Sequence, residues 1–265
     1  HHCLDAPGRY IEFCKSSVPA FFSLRDFKID IDCAHGATCP IAPKVFDELK
    51  AQVISIGCQP NGTNINEHVG STDPASVQKA VLEQKCDFGI ALDGDGDRVI
   101  MVDHQGQIGN GDQILYILAM GLCQTKDPKT MGSKGVVGTQ MSNLGLEVAL
   151  KHHDIPFHRT AVGDRHVMAQ LRKSQWLIGG ESSGHIIWLQ STTTGDGIVA
   201  ALQVAHIIQK TGRSLRSLLK DLTTYPQTLI NLPLSQPLKS SHQLQLDTLT
   251  EHTQKTLGQK GRVLL

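Results

Sequence analysis

The chain has 265 residues, which at roughly 100–200 residues per domain is one large or two ordinary domains. With 25 Lys and Arg against 25 Asp and Glu, no basic block and no apolar run near the roughly 18 residues of a bilayer span, nothing points to nucleic acid or membrane as partner. A hydrophobic share of 40% against a charged share of 19% excludes a disordered chain.

In chain order, Lys28–Asp32 alternates apolar and charged residues as a strand does. Residues 41–50 read as a helix after a turn at Gly36, and 53–57 as a second strand. A polar loop over 61–70 precedes a helix over 73–84. There Asp73 is placed as cap, Pro74 in the first helical position, and Val77, Val81 and Leu82 on one side. Phe88–Leu92 and residues 99–102 are strands separated by six residues. That connection is too short for a parallel crossover, so the two should be antiparallel neighbours in a mixed sheet.

The order then repeats. A helix over 112–122 is followed by a strand over 135–138, a helix over 143–152, a strand over 156–159 and a helix over 164–173. A strand over 176–178, a polar loop over 179–185 and a strand over 186–189 come next, then helices over 196–210 and 215–222. Two α/β units thus each end in strand, polar loop, strand, with Asp93 and Glu181 at matching places 88 residues apart. Residues 223–243, containing Pro226, Pro233 and Pro237, read as a linker. A helix over 244–257 and an unfinished strand over 262–265 end the chain.

The seven cysteines, Cys3, Cys14, Cys33, Cys39, Cys58, Cys86 and Cys123, form no C-x-x-C pair and no spacing that fits zinc. Beside apolar residues they read as small core hydrophobes in a reducing, cytoplasmic compartment.

The segment Asp93, Gly94, Asp95, Gly96, Asp97, Arg98 carries the strongest chemical signal. Carboxylates at i, i+2 and i+4 converge only on a tightly bent backbone, which the glycines permit. An all-carboxylate set suits a hard cation, Mg²⁺ or Ca²⁺. The plain alternative is an acidic solvated turn. An EF-hand is excluded, since its sixth position is Arg98 where Gly is required and its twelfth is His104 where Glu is required. Three protein carboxylates leave coordination sites open for a phosphate oxygen, and Arg98 offers a guanidinium fork to the same phosphate.

The second loop runs from Gly179 through Glu181, Ser182, Ser183 and Gly184 to His185. Its inner part matches G-x-S-x-G, yet that nucleophile elbow needs a helix after the serine, and β-branched and aromatic residues follow instead. A triad order Ser182, Asp196, His206 can be written, with the last two on one helix and its turn. One carboxylate, two hydroxyls and an imidazole better suit vicinal sugar hydroxyls, with a plain polar turn as the alternative. Asp164 after Gly163, Asp112 after Gly111 and Asp196 after Gly195 read foremost as helix starts and caps.

D-G-D-G-D-R between strands, followed about ninety residues later by G-E-x-S-G-H, resembles the phosphohexomutase superfamily. The segments beginning at Gly8, Asn61, Val162 and Thr192 resemble its hexosamine-phosphate branch. The resemblance implies an α/β chain of two consecutive α/β/α layered domains with mixed sheets, plus the start of an α+β C-terminal domain. The implied divisions are 1–107, 108–222 and 223–265. It implies Mg²⁺ on Asp93, Asp95 and Asp97, and a hexosamine phosphate bound through Arg98, Asp164, Arg165, Glu181, Ser183 and His185. The chemistry implied is phosphoryl transfer between O6 and O1 of the sugar through a phosphoserine and a bisphosphate intermediate, in a homodimeric full-length enzyme. Glucose or mannose phosphates, or a non-catalytic sugar-phosphate or metal-binding module, are the alternatives. The superfamily's T-x-S-H-N-P and R-x-S-G-T-E-P segments do not occur in these residues. The resemblance therefore implies a piece of a longer enzyme, with the phosphoserine outside it and no turnover by the piece alone.

Overall fold

The computed structural model describes residues 5–124, 135–231, 233, 236, 240–258 and 260–265. The expectations for Cys3, for Pro237 and for parts of the linker lie outside these residues.

The first unit is a five-stranded sheet of order β2-β1-β3-β4-β5. Its strands are β1 (Lys28–Asp32), β2 (Gln52–Ile56), β3 (Phe88–Leu92), β4 (Val99–Asp103) and β5 (Ile108–Gly109). β1 pairs in parallel with β2 and β3, whereas β3 with β4 and β4 with β5 are antiparallel. The second unit repeats the plan with four strands, β6 (Val136–Thr139), β7 (Phe157–Thr160), β8 (Ile178–Gly180) and β9 (Ile186–Trp188), in the order β7-β6-β8-β9. Here too the last pair, β8 with β9, is antiparallel and the other pairings are parallel. Both mixed sheets are therefore as the short inter-strand loops required.

Helices cover the sheets on both faces. α1 (Ala6–Ser16) and α2 (Ala42–Glu48) pack together on the first sheet, and α3 (Ala75–Gln84) buries Val77 and Val81 on its opposite face. α4 (Gly111–Cys123) and α7 (Gly197–Thr211) lie between the two units, touching each other and strands of both sheets. Their sequences are apolar almost all round, as central position demands: Ile114 to Ala119 and Ile198 to Ala205 are buried throughout. One continuous core therefore runs from Ile29 and Phe88 through Leu115 and Val199 to Val136 and Ile178. α5 (Leu144–His152) and α6 (Asp164–Ser174) complete the second unit, Val167 and Leu171 of α6 closing its outer face. A short α8 (Leu215–Leu218) and a terminal α9 (Ser240–Leu257) follow.

Side-chain caps account for several boundaries. Asn110 accepts from Asp112 N–H at 2.9 Å and completes a capping box with Gln113, and Asn143 accepts from Gly145 N–H at 2.9 Å. Asp196 accepts from Val199 N–H at 2.9 Å, as expected of a cap.

Three expectations need correction, and one helix is not predicted by the sequence pattern. This is α1, a short helix in which Tyr10, Ile11, Phe13 and Cys14 alternate with Arg9, Glu12 and Lys15 and only Ile11 and Cys14 are buried. α3 starts at Ala75 with Pro74 at the cap position, because Asp73 faces His68 at 3.7 Å instead of capping. β8 runs through Gly179 and Gly180 rather than ending before them; a Cβ on Gly179 would stand 2.7 Å from Val167, so only glycine lets α6 sit this close. Residues 262–265 form no strand; the Arg262 guanidinium instead donates to the carbonyls of Gln140 and Ser142.

Candidate functional site

The two antiparallel pairs place their connecting loops side by side. The acid loop, Asp93 to Arg98, joins β3 to β4; the second, Glu181 to His185, joins β8 to β9. An antiparallel bridge links Arg98 with His185, and Val99 N–H donates to the Gly184 carbonyl at 3.0 Å. Gly184 has φ +96, and a Cβ there would lie 2.2 Å from the Val99 oxygen. That crossing requires glycine.

The acid loop is held from three directions. Within it, Gly96 N–H donates to the Asp93 carbonyl at 3.1 Å, and Arg98 N–H donates to Asp93 Oδ1 at 3.1 Å. From the turn after β1, Ala37 N–H donates to the Gly94 carbonyl at 2.8 Å, and at the start of α7 Gly197 N–H donates to that of Gly96 at 2.9 Å. The carboxylates of Asp93, Asp95 and Asp97 consequently converge, with ligand oxygens within 4.8 Å of one another. Asp93 is buried, Asp97 half-buried and Asp95 exposed. Burial, with Asp97 and Asp95 alongside, pushes the Asp93 carboxyl up to about 6, against a lowering effect of the Arg98 N–H. The nearest guanidinium nitrogen, Arg98 Nε, stands off at 3.8 Å from Asp93 and 3.7 Å from Asp97 on an exposed side chain. The cluster is short of positive charge, and three converging hard oxygen donors fit Mg²⁺ or Ca²⁺.

His185 is buried, with both ring nitrogens engaged. Nδ1 lies 3.0 Å from Asp97 Oδ2, and Gly195 N–H donates to Nε2 at 3.2 Å. Since Nε2 accepts, Nδ1 carries the proton and donates it to Asp97. The imidazole orients a carboxylate of the other loop.

Glu181 is fixed on the far side of the same loop. Its N–H donates to the His185 carbonyl at 3.0 Å, and its Oε1 accepts from Gly163 N–H at 3.0 Å. The Gly163 contact brings the start of α6 to the loop, with Asp164 and Arg165 exposed beside it; Arg165 N–H donates to Asp164 Oδ1 at 2.6 Å. Ser183 is exposed at the loop tip. The residues singled out from the sequence thus form two adjoining groups, Asp93, Asp95, Asp97, Arg98 and His185 in one, and Glu181, Ser183, Asp164 and Arg165 in the other.

The triad order Ser182, Asp196, His206 does not assemble. Asp196 Oδ2 accepts from Tyr10 O–H at 2.7 Å and Oδ1 caps α7. His206, on the same helix, meets the Phe22 ring edge-on at 5.5 Å. The sequence pattern does not mark Tyr10 or Gly195 as site residues. The signals were there, in the Gly8 and Thr192 segments, but their partners lie far along the chain or on the opposite loop.

Models of phosphoglucomutase/phosphomannomutase alpha/beta/alpha domain II and domain III match residues 8–106 and 110–225. The chain belongs to the phosphoglucomutase/phosphomannomutase family. It is 52% identical to the phosphoglucosamine mutase of Thioalkalivibrio sulfidiphilus over 99% of its length and 58% of the relative's. With that of Photobacterium profundum it shares 53% identity, over 98% of this chain and 58% of the other. The chain thus spans under two thirds of the length of these curated relatives. Among solved structures, the N-acetylphosphoglucosamine mutase of Aspergillus fumigatus in complex with GlcNAc-6P and magnesium superimposes with a TM-score of 0.70 at 19% identity. The match covers 92% of this chain and 57% of that one, and it shows a shared fold.

Proposed function

We propose that this chain carries the metal- and sugar-binding loops of an isomerase that interconverts glucosamine 6-phosphate and glucosamine 1-phosphate. The observation that carries the reading is the contact of the two loops: Asp97 of the acid cluster is held by His185 of the loop bearing Glu181 and Ser183. Identity near 52% to phosphoglucosamine mutases supports the choice of sugar.

In this reading a phosphoserine, in a T-x-S-H-N-P setting that these residues do not contain, donates its phosphoryl group to O1. The serine O–P bond breaks as the O1–P bond forms, and the O1 proton passes to a base. The 1,6-bisphosphate turns over in the site; its O6–P bond then breaks as the serine O–P bond re-forms, and the base returns its proton to O6. Asp93, Asp95 and Asp97 are the proposed holders of Mg²⁺, which when bound neutralises charge developing on the transferring group. Arg98, exposed over the cluster, binds phosphate. Glu181 and Ser183 bind the sugar hydroxyls, which exchange places under a near two-fold turn, so one loop serves both orientations. Asp164 and Arg165 border the same sugar. The divisions at 107 and 222, a cytoplasmic setting and a homodimer of the longer enzyme belong to the same reading. Among the described residues no helix is long and apolar enough to cross a membrane.

Calorimetric titration of the chain with Mg²⁺ tests the metal assignment: Asp95→Asn should bind at least tenfold more weakly than wild type. Equal binding by both would overturn it. Titration with glucosamine 6-phosphate tests the sugar loop, and unchanged affinity in Glu181→Gln would overturn that part.

A further inference from the structure

Three thiols that no short spacing unites meet behind the acid loop. Cys33 follows β1, Cys39 ends the next turn, and Cys58 lies just beyond β2. The parallel register sets Asp32 opposite Ile56, so the chain leaves both strands at the same end of the sheet. Cys33 N–H then donates to the Ile56 carbonyl at 3.1 Å, and His35 N–H donates to that of Gly57. The turn between Cys33 and Cys39 passes through Ala34 and His35, both at positive φ, 53 and 51. As a result the sulfurs of Cys33, Cys39 and Cys58 lie within 4.8 Å of one another, and all three are free thiols. Cys33 is buried; Cys39 and Cys58 are half-buried and give the cluster a side toward solvent.

Thiols serving only as small core hydrophobes have no need of one another. Cys14 and Cys86, buried elsewhere, belong to no such group. Among the described residues no histidine or carboxylate joins the three sulfurs at this distance. Asp32, the nearest candidate by sequence, already accepts from Ala34 N–H, Gly70 N–H and Ser76 O–H. A cation about 2.3 Å from each of three sulfurs, the zinc–thiolate distance, sets those sulfurs about 4 Å apart. Thiolate-only ligation selects soft cations, and three donors without a fourth favour a trigonal ion over tetrahedral zinc.

We propose that Cys33, Cys39 and Cys58 form a binding site for one soft monovalent cation of the copper(I) class, held by three thiolate sulfurs. Binding forms three metal–sulfur bonds and releases the thiol protons to solvent, with no change of oxidation state. It displaces the weak contacts of the Cys39 and Cys58 thiols with the Gly57 and Ile56 carbonyls, 3.4 and 3.3 Å long. The site abuts the acid loop without sharing a ligand with it: Ala37, between Cys33 and Cys39, is the residue whose N–H holds the Gly94 carbonyl.

The test is anaerobic titration of the reduced chain with copper(I) against a chromogenic copper(I) chelator. Wild type and Cys123→Ser should each withhold one equivalent, and Cys58→Ser should bind at least a hundredfold more weakly. Equal retention by Cys58→Ser would overturn the site, and tighter retention of zinc than of copper(I) would overturn its trigonal chemistry. Should Cys58→Ser fail to fold, iodoacetamide labelling of the wild-type chain with peptide mass mapping decides. One equivalent of copper(I) should protect Cys39 and Cys58 at least tenfold while leaving the labelling rate of Cys123 unchanged. Unprotected Cys39 and Cys58 would overturn the proposal.

Discussion

His185 Nδ1 lies 3.0 Å from Asp97 Oδ2, so an imidazole of one α/β unit sets the direction of a carboxylate in the other. Gly195 N–H fixes the tautomer from behind at 3.2 Å. Removing an outer partner of a metal ligand typically costs about 10–100-fold in metal affinity. His185→Ala is expected to weaken Mg²⁺ binding within that range although Asp93, Asp95 and Asp97 remain. His185→Asn, which keeps a donor, should recover part of the loss. Calorimetric titration of the three proteins measures this, and unchanged affinity in His185→Ala would separate Asp97 from its partner.

Gly184 is where the loops cross. Its φ of +96 and the 2.2 Å that would separate a Cβ from the Val99 oxygen leave no room for a side chain. Gly184→Ala should destabilise the chain by about 2 kcal/mol or more, the cost of forcing a residue into such a backbone conformation plus the displaced strand. Urea unfolding checks the stability, and Mg²⁺ affinity should fall in the same variant because Arg98 and His185 lose their bridge.

Tyr10 ties α1 to the cap of α7 through its 2.7 Å hydrogen bond to Asp196. Tyr10→Phe removes the donor and leaves Asp196 Oδ1 on Val199 N–H, so α7 keeps its cap. The expected loss is about 1.5–3 kcal/mol, as for other hydrogen bonds to charged groups. Chemical denaturation should show it while far-ultraviolet dichroism stays unchanged.

Asp30, on the interior strand β1, is buried with neither carboxylate oxygen hydrogen-bonded. Burial, reinforced by Asp32, pushes its carboxyl up from 3.8 to about 7. The folded chain therefore keeps a proton that the unfolded chain has lost. The contribution to stability is full below 3.8, declines as pH rises, and is gone above about 7. The unfolding free energy of wild type minus that of Asp30→Asn should fall by up to about 1.4 kcal/mol per pH unit across this window. It should be flat above it; a difference independent of pH would show that Asp30 is ionised throughout.

Strand alternation, apolar helix faces and the carboxylates at i, i+2 and i+4 are local properties, and they were legible without coordinates. Both mixed sheets, the helices at α4 and α7, and the two polar loops followed from them; the burial of α4 and α7 on nearly all sides came from the packing of the two units. α1 was not legible, because its few apolar residues are interspersed with Arg9, Glu12 and Lys15 in one short helix and only Ile11 and Cys14 are buried. The end of β8 was misplaced because glycine signals a turn locally, whereas Gly179 answers to the approach of Val167.

By itself the sequence determined the two repeated α/β units, the acid loop and the family resemblance, since each is built of short motifs legible from neighbouring residues and their order along the chain. Only the tertiary structure decided what stands behind those residues. His185 meets Asp97 because strands from two sheets cross at Gly184, and Cys33, Cys39 and Cys58 meet because β1 and β2 run parallel in one register. Both are contacts between segments far apart in the chain, and chain order alone does not encode the packing of layers that brings them within bonding distance.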